Sequence, residues 1–519
     1  MSDRIPKPVV LAVMDGWGWN PRPLGNPIAQ ANTPTIDMLS REYPSALLQA
    51  SGSAVGMEWS ETGNSEVGHL TMGSGRIIDQ YNSRINKTIA NGQFYTNEAL
   101  LGAFKHAREN NSAVNIIGLL TSGTVHASLD HLDALLEMAA RVNYEKTFIH
   151  LFLDGHDSGL NEGIPLLNKL QEIITRTQHG MVASIIGRDF SMDKNNDWNK
   201  TKKAYDLLAS AAGEKTNDPI SKIKGFYSAG MADYSVLPII NEPAKFAGIQ
   251  NGDALIFFNF REDGIRQIVK PFVMDDFDIF EPKNIENLYV ASMTRYLDTS
   301  KLKVAFEPPT VINTLAEVLS TNNKTQFHIA ETIKYAHVTY FFNGIKSTAI
   351  KGETDAFIES PKILLNNPAM GSQEIANRVA DEISKGYYDF IVVNFANPDM
   401  LAHTGNFDVT KRGIEWVDKA IQHLHDIVLS KDAVMILTAD HGNAESMLVK
   451  GSGEAKSKHN PSPVPIYLID KRYKNSRPGL RAETVGILAD IAPTILELMR
   501  LPQPPEMTGR SLLPELTQQ

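Results

Sequence analysis

A serine in a glycine-bracketed stretch is the first feature of this chain that could do chemistry. Residues 62–69 read Thr-Gly-Asn-Ser-Glu-Val-Gly-His, which predicts a tight turn holding Ser65 between Gly63 and Gly68. A serine hydroxyl is a weak nucleophile until a base or a metal ion activates it. No base is evident beside Ser65. The stretch is therefore either an ordinary loop closure or a nucleophile activated by residues elsewhere in the chain.

Carboxylates and imidazoles at or near the ends of apolar runs could supply that activation. They are Asp15, Asp399, His403, Asp440, His441 and His459. Asp399 and His403 are spaced i, i+4, so on a helix they share one face. The chain has no cysteine, which excludes thiolate ligands. The set suits two divalent ions of the Mn²⁺ or Zn²⁺ kind, which would also activate Ser65. Singly, each residue has a structural alternative, but together they favour a metal centre.

The composition is that of a soluble globular protein with more than one domain. The chain has 519 residues, which is too many for one ordinary core. Of these residues, 42% are hydrophobic and 21% are charged, as in soluble globular proteins. The formal net charge of −10 argues against a nucleic-acid partner. The polar segment Met1–Pro8 has no signal-peptide core behind it, and the apolar run Val9–Met14 is too short for a bilayer. We therefore expect no membrane partner and a cytoplasmic location.

Apolar runs that end in polar residues alternate with helical patterns, which predicts an α/β fold. The predicted strands are Val9–Met14, Val114–Leu120, Phe148–Leu153, Val182–Ile186, Leu255–Phe258, Phe390–Phe395, Ala433–Thr438 and Val464–Ile469. The predicted helices are Thr33–Leu39, His131–Val142, Thr201–Ala212 and Pro493–Met499. Open α/β sheets bind their ligands at the carboxyl ends of the strands, where Asp15 is expected. A proline pair near Phe306–Thr310 predicts a linker between two sheets, and the polar stretch Lys450–Asn460 predicts a mobile loop.

A set of short motifs extends this pattern over nearly the whole chain. The motifs are Met14–Gly18, Gly63–Leu70, Gly73–Ile77, Phe152–Gly155, Phe257–Arg261, Glu331–Thr339, Asn397–Met400, Thr438–Asn443 and His459–Pro465. With them the chain resembles the 2,3-bisphosphoglycerate-independent phosphoglycerate mutases of the alkaline phosphatase superfamily. The stretch around Ser65 and the stretch around Lys334 are specific to this family and separate it from simple phosphatases and sulfatases.

The resemblance implies a particular division of the α/β fold. An alkaline-phosphatase-like α/β sandwich that binds metal is expected from residues 1–78 and 312–519. An α/β transferase domain that binds substrate is expected to be inserted between them, over residues 79–311. Closure of the two domains about hinges near Arg76–Ser83 and Phe306–Val311 would form the site. No second subunit is needed for that closure, so we expect a monomer.

The resemblance also implies the reaction and the roles of the residues. The reaction would interconvert 3-phosphoglycerate and 2-phosphoglycerate, in glycolysis or gluconeogenesis, without 2,3-bisphosphoglycerate. Ser65 would carry the phosphoryl group as a phosphoserine. One Mn²⁺ would be held by Asp399, His403 and His459, and the other by Asp15, Ser65, Asp440 and His441. The small phosphorylated acid would be bound by His126, His156, Asp157, Arg188, Lys194, Arg261 and Lys334. Zinc, cobalt or magnesium could occupy such ligands as well.

The substrate-binding part departs from the family pattern at four positions. Ser122 replaces an acidic residue, whereas His156, Lys194 and Gly264 each replace an arginine, with Arg266 as a candidate substitute for the last. Losing an arginine fork to an anion costs about 2–5 kcal/mol by analogy with truncated charge pairs. Two alternatives therefore stay open. The chain could be a phosphomutase or phosphatase for another phosphate ester on the same scaffold, or a non-catalytic paralogue that binds a metabolite or partner protein.

Overall fold

The computed structural model describes residues 5–449, 453–476 and 480–517. The first four residues of the predicted polar N-terminus and residues 450–452 of the predicted loop lie outside the described residues. The chain divides into two compact units, residues 1–79 with 309–519, and residues 80–308. Each unit has a hydrophobic core of its own. Nowhere in the described ranges does a helix combine the length and the apolar character that crossing a membrane requires.

The α/β class predicted from the sequence is confirmed. In chain order the strands are β1 Val9–Met14, β2 Ser45–Gln49, β3 Val114–Leu120, β4 Thr147–Leu153, β5 Met181–Gly187, β6 Glu214–Thr216, β7 Ile239–Asn241, β8 Ala254–Phe257, β9 Tyr289–Thr294, β10 Leu302–Phe306, β11 Gln326–Glu331, β12 Glu353–Ile358, β13 Phe390–Phe395, β14 Val434–Thr438, β15 Val464–Ile469 and β16 Thr484–Ile487. The helices are α1 Pro27–Gln30, α2 Pro34–Glu42, α3 Ser65–Ser74, α4 Tyr81–Ala90, α5 Glu98–Glu109, α6 Leu129–Arg141, α7 Gly163–Thr177, α8 Arg188–Ser191, α9 Trp198–Ser210, α10 Pro219–Ser228, α11 Arg266–Val273, α12 Leu315–Thr321, α13 Ser372–Lys385, α14 Asn397–Ala402, α15 Phe407–Ser430, α16 Ile491–Leu498 and α17 Leu513–Thr517.

The sheet of the first unit is built around β1. Its strand order is β12-β11-β13-β1-β14-β15-β2-β16, and β15 runs antiparallel to both of its neighbours. Every residue of β1 is buried, as a continuous apolar run predicts for a central parallel strand. Because β13 and β14 both pair in parallel with β1, the carboxyl ends of all three strands lie at one edge.

The sheet of the second unit has the order β10-β9-β8-β3-β4-β5-β7-β6, with β7 antiparallel to β5. Strands β8, β3, β4 and β5 are mutually parallel, so the polar residues that follow them lie at one edge. Each predicted strand and helix is present, with ends shifted by a few residues.

Two local predictions were wrong. Ser65 does not lie within a turn but is the first residue of α3, whose N-terminus is capped by Asn64. Pro493 is the third residue of α16 rather than its first. Sequence patterns also missed eight strands, which are β2, β6, β7, β9, β10, β11, β12 and β16.

Candidate active site

Ser65 is placed at a helix N-terminus by its flanking residues. The side chain of Asn64 accepts a hydrogen bond of 3.0 Å from the Val67 amide, which satisfies a free donor of the first turn. Gly68 lets α3 lie directly against the end of β14, since a Cβ there would be 2.6 Å from the Asp440 carbonyl oxygen. The partial positive charge of a helix N-terminus favours negative charge on the Ser65 oxygen.

Three groups meet at the Ser65 hydroxyl, which is almost fully buried. Its Oγ donates to Asp15 Oδ1 at 3.0 Å, lies 3.0 Å from His441 Nε2, and accepts from Lys334 Nζ at 2.6 Å. Burial opposes charge on His441, but the neighbouring carboxylates, Asp440 foremost, raise its pKa to about 10. Burial likewise opposes charge on Lys334, but Asp15 and Asp399 raise its pKa above the usual value. The oxygen is therefore surrounded by cations that can stabilise an alkoxide.

A second cluster of possible ligand atoms is formed by the side chains of Asp399, His403 and His459. Asp399 lies in the first turn of α14 and His403 directly follows that helix, so the predicted i, i+4 pair shares a face. The Nε2 atoms of the two histidines are 3.0 Å apart, and they lie 3.2 and 3.3 Å from Asp399 Oδ1. A hydrogen bond to Asp399 is the main cause of a raised pKa at His403.

The hydrogen bonds of these two histidines leave one nitrogen lone pair of each ring free to bind a cation. Each Nδ1 faces a backbone carbonyl and must donate to it, from His403 to Ser457 at 2.8 Å and from His459 to Gly63 at 2.9 Å. In the neutral rings two nitrogen lone pairs then face each other beside a carboxylate. Ligand atoms about 2.1 Å from one ion are separated by about 3.0–3.4 Å, which is the spacing found here. The residues fit a divalent metal ion.

Asp15, Asp440 and His441 form the matching group beside Ser65. The Gly16 amide donates to Asp440 Oδ1 at 3.1 Å, whereas the buried Oδ2 has no conventional hydrogen-bond donor among the described residues. His441 Nε2 lies 3.4 Å from Asp15 Oδ1 and 3.7 Å from Asp440 Oδ2. Lys334 links both groups, because its Nζ also donates to Asp15 Oδ1 at 2.8 Å and to Asp399 Oδ2 at 2.7 Å. Three buried carboxylates thus share two cations, Lys334 and His441, which leaves them short of positive charge, and this group fits a metal cation as well.

Sequence reasoning missed three polar residues that orient these groups. Asn394 Nδ2 donates to Asp15 Oδ2 at 2.7 Å, and Asn443 Nδ2 donates to Asp399 Oδ1 at 2.7 Å. His69 Nδ1 lies 3.2 Å from Asp440 Oδ2. A signal was present for Asn394, which is a single polar residue inside an apolar run.

The unit of residues 80–308 brings most of the predicted substrate-binding residues together. Arg188 donates to Asp157 at 2.8 Å and to the buried Asp154 at 2.5 Å. His126 lies 3.7 Å from Asp157, and its other nitrogen lies 3.5 Å from Asp263. Burial, helped by the Arg188 charge, lowers the pKa of His126. Arg261 is 3.2 Å from Asp263. The result is a cluster of basic side chains paired with carboxylates. An anionic ligand could take the place of those carboxylates beside the basic groups.

The residues that depart from the family pattern lie around this cluster. The His156 ring stacks on Tyr234 at 4.8 Å with its Nε2 3.4 Å from Asp189, and Lys194 lies 3.8 Å from Asp263. Ser122 donates to Glu162. Arg266 does not substitute at Gly264, because its Nε donates to the Tyr296 carbonyl at 2.9 Å and its guanidinium lies beside Glu262.

Known proteins resemble this chain over nearly its whole length. The model of the metalloenzyme superfamily matches residues 7–503. A Clostridioides difficile (strain 630) protein named 2,3-bisphosphoglycerate-independent phosphoglycerate mutase is 39% identical over 98% of this chain and 99% of its own. A Moorella thermoacetica protein of the same name is 40% identical over 99% of each. The crystal structure of Leishmania mexicana phosphoglycerate mutase, determined at low cobalt concentration, is 27% identical, covers 98% of each chain and has a TM-score of 0.67.

Proposed function

Because the chain belongs to the 2,3-bisphosphoglycerate-independent phosphoglycerate mutases, we propose that Ser65 is the nucleophile that carries the phosphoryl group. As a member of this family, the chain is an isomerase with the two-domain, alkaline-phosphatase-like α/β fold, uses divalent metal, and interconverts 3-phosphoglycerate and 2-phosphoglycerate. The observation that carries the proposal is the meeting of Asp15, His441 and Lys334 at one buried serine oxygen.

The proposed metal set is the two groups of converging ligand atoms. Asp399, His403 and His459 hold one ion, and Asp15, Ser65, Asp440 and His441 hold the other, with Mn²⁺ as the proposed metal. When bound, two such ions neutralise charge on the transferring phosphoryl group and help to ionise the serine. The support for two ions is that the three buried carboxylates of Asp15, Asp399 and Asp440 outnumber the cations Lys334 and His441 that lie beside them.

The side chains around Ser65 perform the proton and charge steps. Asp15 Oδ1 accepts the hydroxyl hydrogen, while Lys334 Nζ donates to Oγ and stabilises the negative charge that develops there. The Ser65 oxygen gives up its hydrogen and attacks phosphorus, the ester bond to one glycerate oxygen breaks, and that oxygen takes up one proton. In the return step the other glycerate hydroxyl gives up one proton and attacks phosphorus, the bond to Ser65 breaks, and the Ser65 oxygen regains its hydrogen. Burial of Ser65 limits attack by water on the phosphoserine.

The glycerate is proposed to bind in the second unit. Arg188 and Arg261 supply fixed positive charge, and His126 lies between the acids Asp157 and Asp263, each of which pairs with one of these arginines. His156 and Lys194 complete the proposed set at its margin. Arginine forks suit the planar carboxylate of the substrate, so these two guanidinium groups are proposed to select an acid over a neutral alcohol. We also propose that the chain acts as a monomer.

A coupled assay with 3-phosphoglycerate, Mn²⁺ and no 2,3-bisphosphoglycerate tests this function. We expect formation of 2-phosphoglycerate, and a phosphate added to Ser65 that mass spectrometry detects in quenched reactions. Ser65→Ala should abolish both. Ser74→Ala is the matched control, because Ser74 is buried in the same helix and donates to the Arg76 carbonyl. Full activity of Ser65→Ala would rule out the serine mechanism. Absence of turnover with metal bound would instead point to another phosphate ester.

A further inference from the structure

Asn394 occupies an unusual place for an amide side chain. It lies in the central strand β13, is fully buried, and follows the apolar residues Ile391–Val393. Its Nδ2 donates one hydrogen to Asp15 Oδ2 at 2.7 Å and faces His69 Nε2 at 3.1 Å. An amide nitrogen carries two hydrogens, so both contacts can be satisfied at once. The contact with a carboxylate fixes which end of the amide is the nitrogen.

The contacts of His69 fix its protonated nitrogen. Nδ1 lies 2.9 Å from the Ser65 carbonyl oxygen and 3.2 Å from Asp440 Oδ2, and both of these atoms only accept hydrogen bonds. Nδ1 therefore carries a hydrogen. Nε2 is then free to accept from Asn394 in the neutral ring. A metal site that includes His69 is suggested by spacing alone, because ligand atoms of Asp15, His69 and Asp440 lie within 4.8 Å of one another. Both nitrogens of His69, however, already contact other groups. His69 is not a metal ligand in this arrangement.

We propose that Asn394 and His69 form a polar bridge that positions Asp15 and Asp440 in the metal site beside Ser65, through a hydrogen bond at Asp15 and a 3.2 Å contact at Asp440. The proposal rests on the proposed ligand role of those two acids. Each end of the bridge holds one carboxylate oxygen, Oδ2 in both residues, while Asp15 Oδ1 faces Ser65 and Lys334. Without the bridge the Oδ2 atom of each carboxylate would lose this contact, although Oδ1 of each would keep its own donors. Outer groups that orient ligands in this way change metal affinity by about 10- to 100-fold when they are removed.

Mn²⁺ titration of the metal-free protein, followed by calorimetry and by the electron paramagnetic resonance spectrum of Mn²⁺, tests the bridge. Asn394→Leu removes both donors at similar volume. We expect it to weaken one of two Mn²⁺ affinities by about 10- to 100-fold and to leave the other within about twofold. Mutase activity should return at high Mn²⁺ concentration, with most of kcat recovered. His69→Gln, which keeps a donor and an acceptor, should give a smaller loss and serves if Asn394→Leu does not fold.

Asn115→Leu is the matched control. Asn115 is also buried in a central strand, lies 3.0 Å from His150 and donates to Asp253 at 3.3 Å, but belongs to the second unit. It should change neither Mn²⁺ affinity. Unchanged affinities in a folded bridge variant, or equal loss at both sites, would overturn the bridge. Absence of Mn²⁺ binding to the unsubstituted protein would instead refute the proposed metal set, so the two failures are distinguishable.

Discussion

Lys334→Met removes the buried cation that links the two groups of carboxylates, while keeping most of the side-chain volume. Lys334 Nζ lies 2.6–2.8 Å from Ser65 Oγ, Asp15 Oδ1 and Asp399 Oδ2. Breaking a buried ion pair by removing one partner costs about 3–5 kcal/mol. The metal-free variant should therefore lose about that much free energy of unfolding. The loss should shrink in Mn²⁺, because the ions neutralise the same carboxylates.

The same substitution should change turnover and metal affinity in opposite directions. Loss of one preorganised donor to a developing anion typically lowers kcat by about 10²- to 10³-fold. Metal binding should become tighter, since Lys334 repels any cation placed among these ligands. Two unit charges about 4 Å apart interact by about 4 kcal/mol at an effective dielectric constant of 20, so at least about a tenfold gain in Mn²⁺ affinity is expected.

Three measurements on one protein preparation test these expected changes in stability, metal affinity and turnover. They are urea unfolding with and without chelator, Mn²⁺ calorimetry, and the coupled assay. Lys346→Met is the matched control, because Lys346 pairs with Glu317 in the same unit in a half-exposed position. A pair of that kind contributes about 0–1 kcal/mol and should affect neither metal affinity nor turnover. Weaker Mn²⁺ binding by Lys334→Met would refute the reasoning, because Lys334 would then act as a support for the ligands and not as a competing charge.

Further predictions concern acid stability, packing and proton release. Burial lowers the pKa of His131 and of His150 to about 3, so below pH 6.5 only the unfolded chain protonates them. The free energy of unfolding should fall by about 1 kcal/mol per pH unit for each histidine in urea titrations between pH 6.5 and 5, and the slope should approach about 1.4 kcal/mol per unit at pH 5. Gly68→Ala should cost about 1–3 kcal/mol in thermal or urea unfolding, because its Cβ would meet the Asp440 carbonyl at 2.6 Å. Chelation should abolish activity and Mn²⁺ should restore it. Because the pKa of His441 is raised to about 10 in the metal-free protein, Mn²⁺ binding at pH 7–9 should release a proton, which calorimetry in buffers of different ionisation enthalpy detects.

The strands could be predicted from the sequence wherever full burial requires a continuous run of apolar residues. Strand β1 is such a run, β13 is one apart from Asn394, and β14 is one as far as its last residue, Thr438. Strand β12, Glu-Thr-Asp-Ala-Phe-Ile, was missed because it lies at the sheet edge and is only partly covered, so polar residues are tolerated there. The antiparallel direction of β15 has no local signal, since direction depends on the connection and not on the residues of the strand.

The candidate site was predictable as a set of residues but not as an arrangement. Each proposed acid follows a recognisable strand, which the sequence shows. That Lys334 reaches Asp15 over a separation of 319 residues is a property of the folded sheet, so its role came from family resemblance alone. His69 was noted only as a neighbour of Ser65, because its partners lie on β13 and after β14.

Strand register explains why these acids meet. Val13 of β1 is level with Asn394 on one side and with Thr438 on the other. Asp15 and Asp440 each follow these paired positions by two residues, whereas Asn394 is level with Val13 itself. If the register continues past the strand ends, the two acids are level with each other and on the same face. A slip of one residue between β1 and β14 would turn one acid to the opposite face, because side chains alternate along a strand. The buried apolar residues of β1 therefore do more than stabilise the core. By fixing the register, they fix the separation of two proposed metal ligands, and conservative substitutions that loosen this strand should lower metal affinity before they unfold the domain.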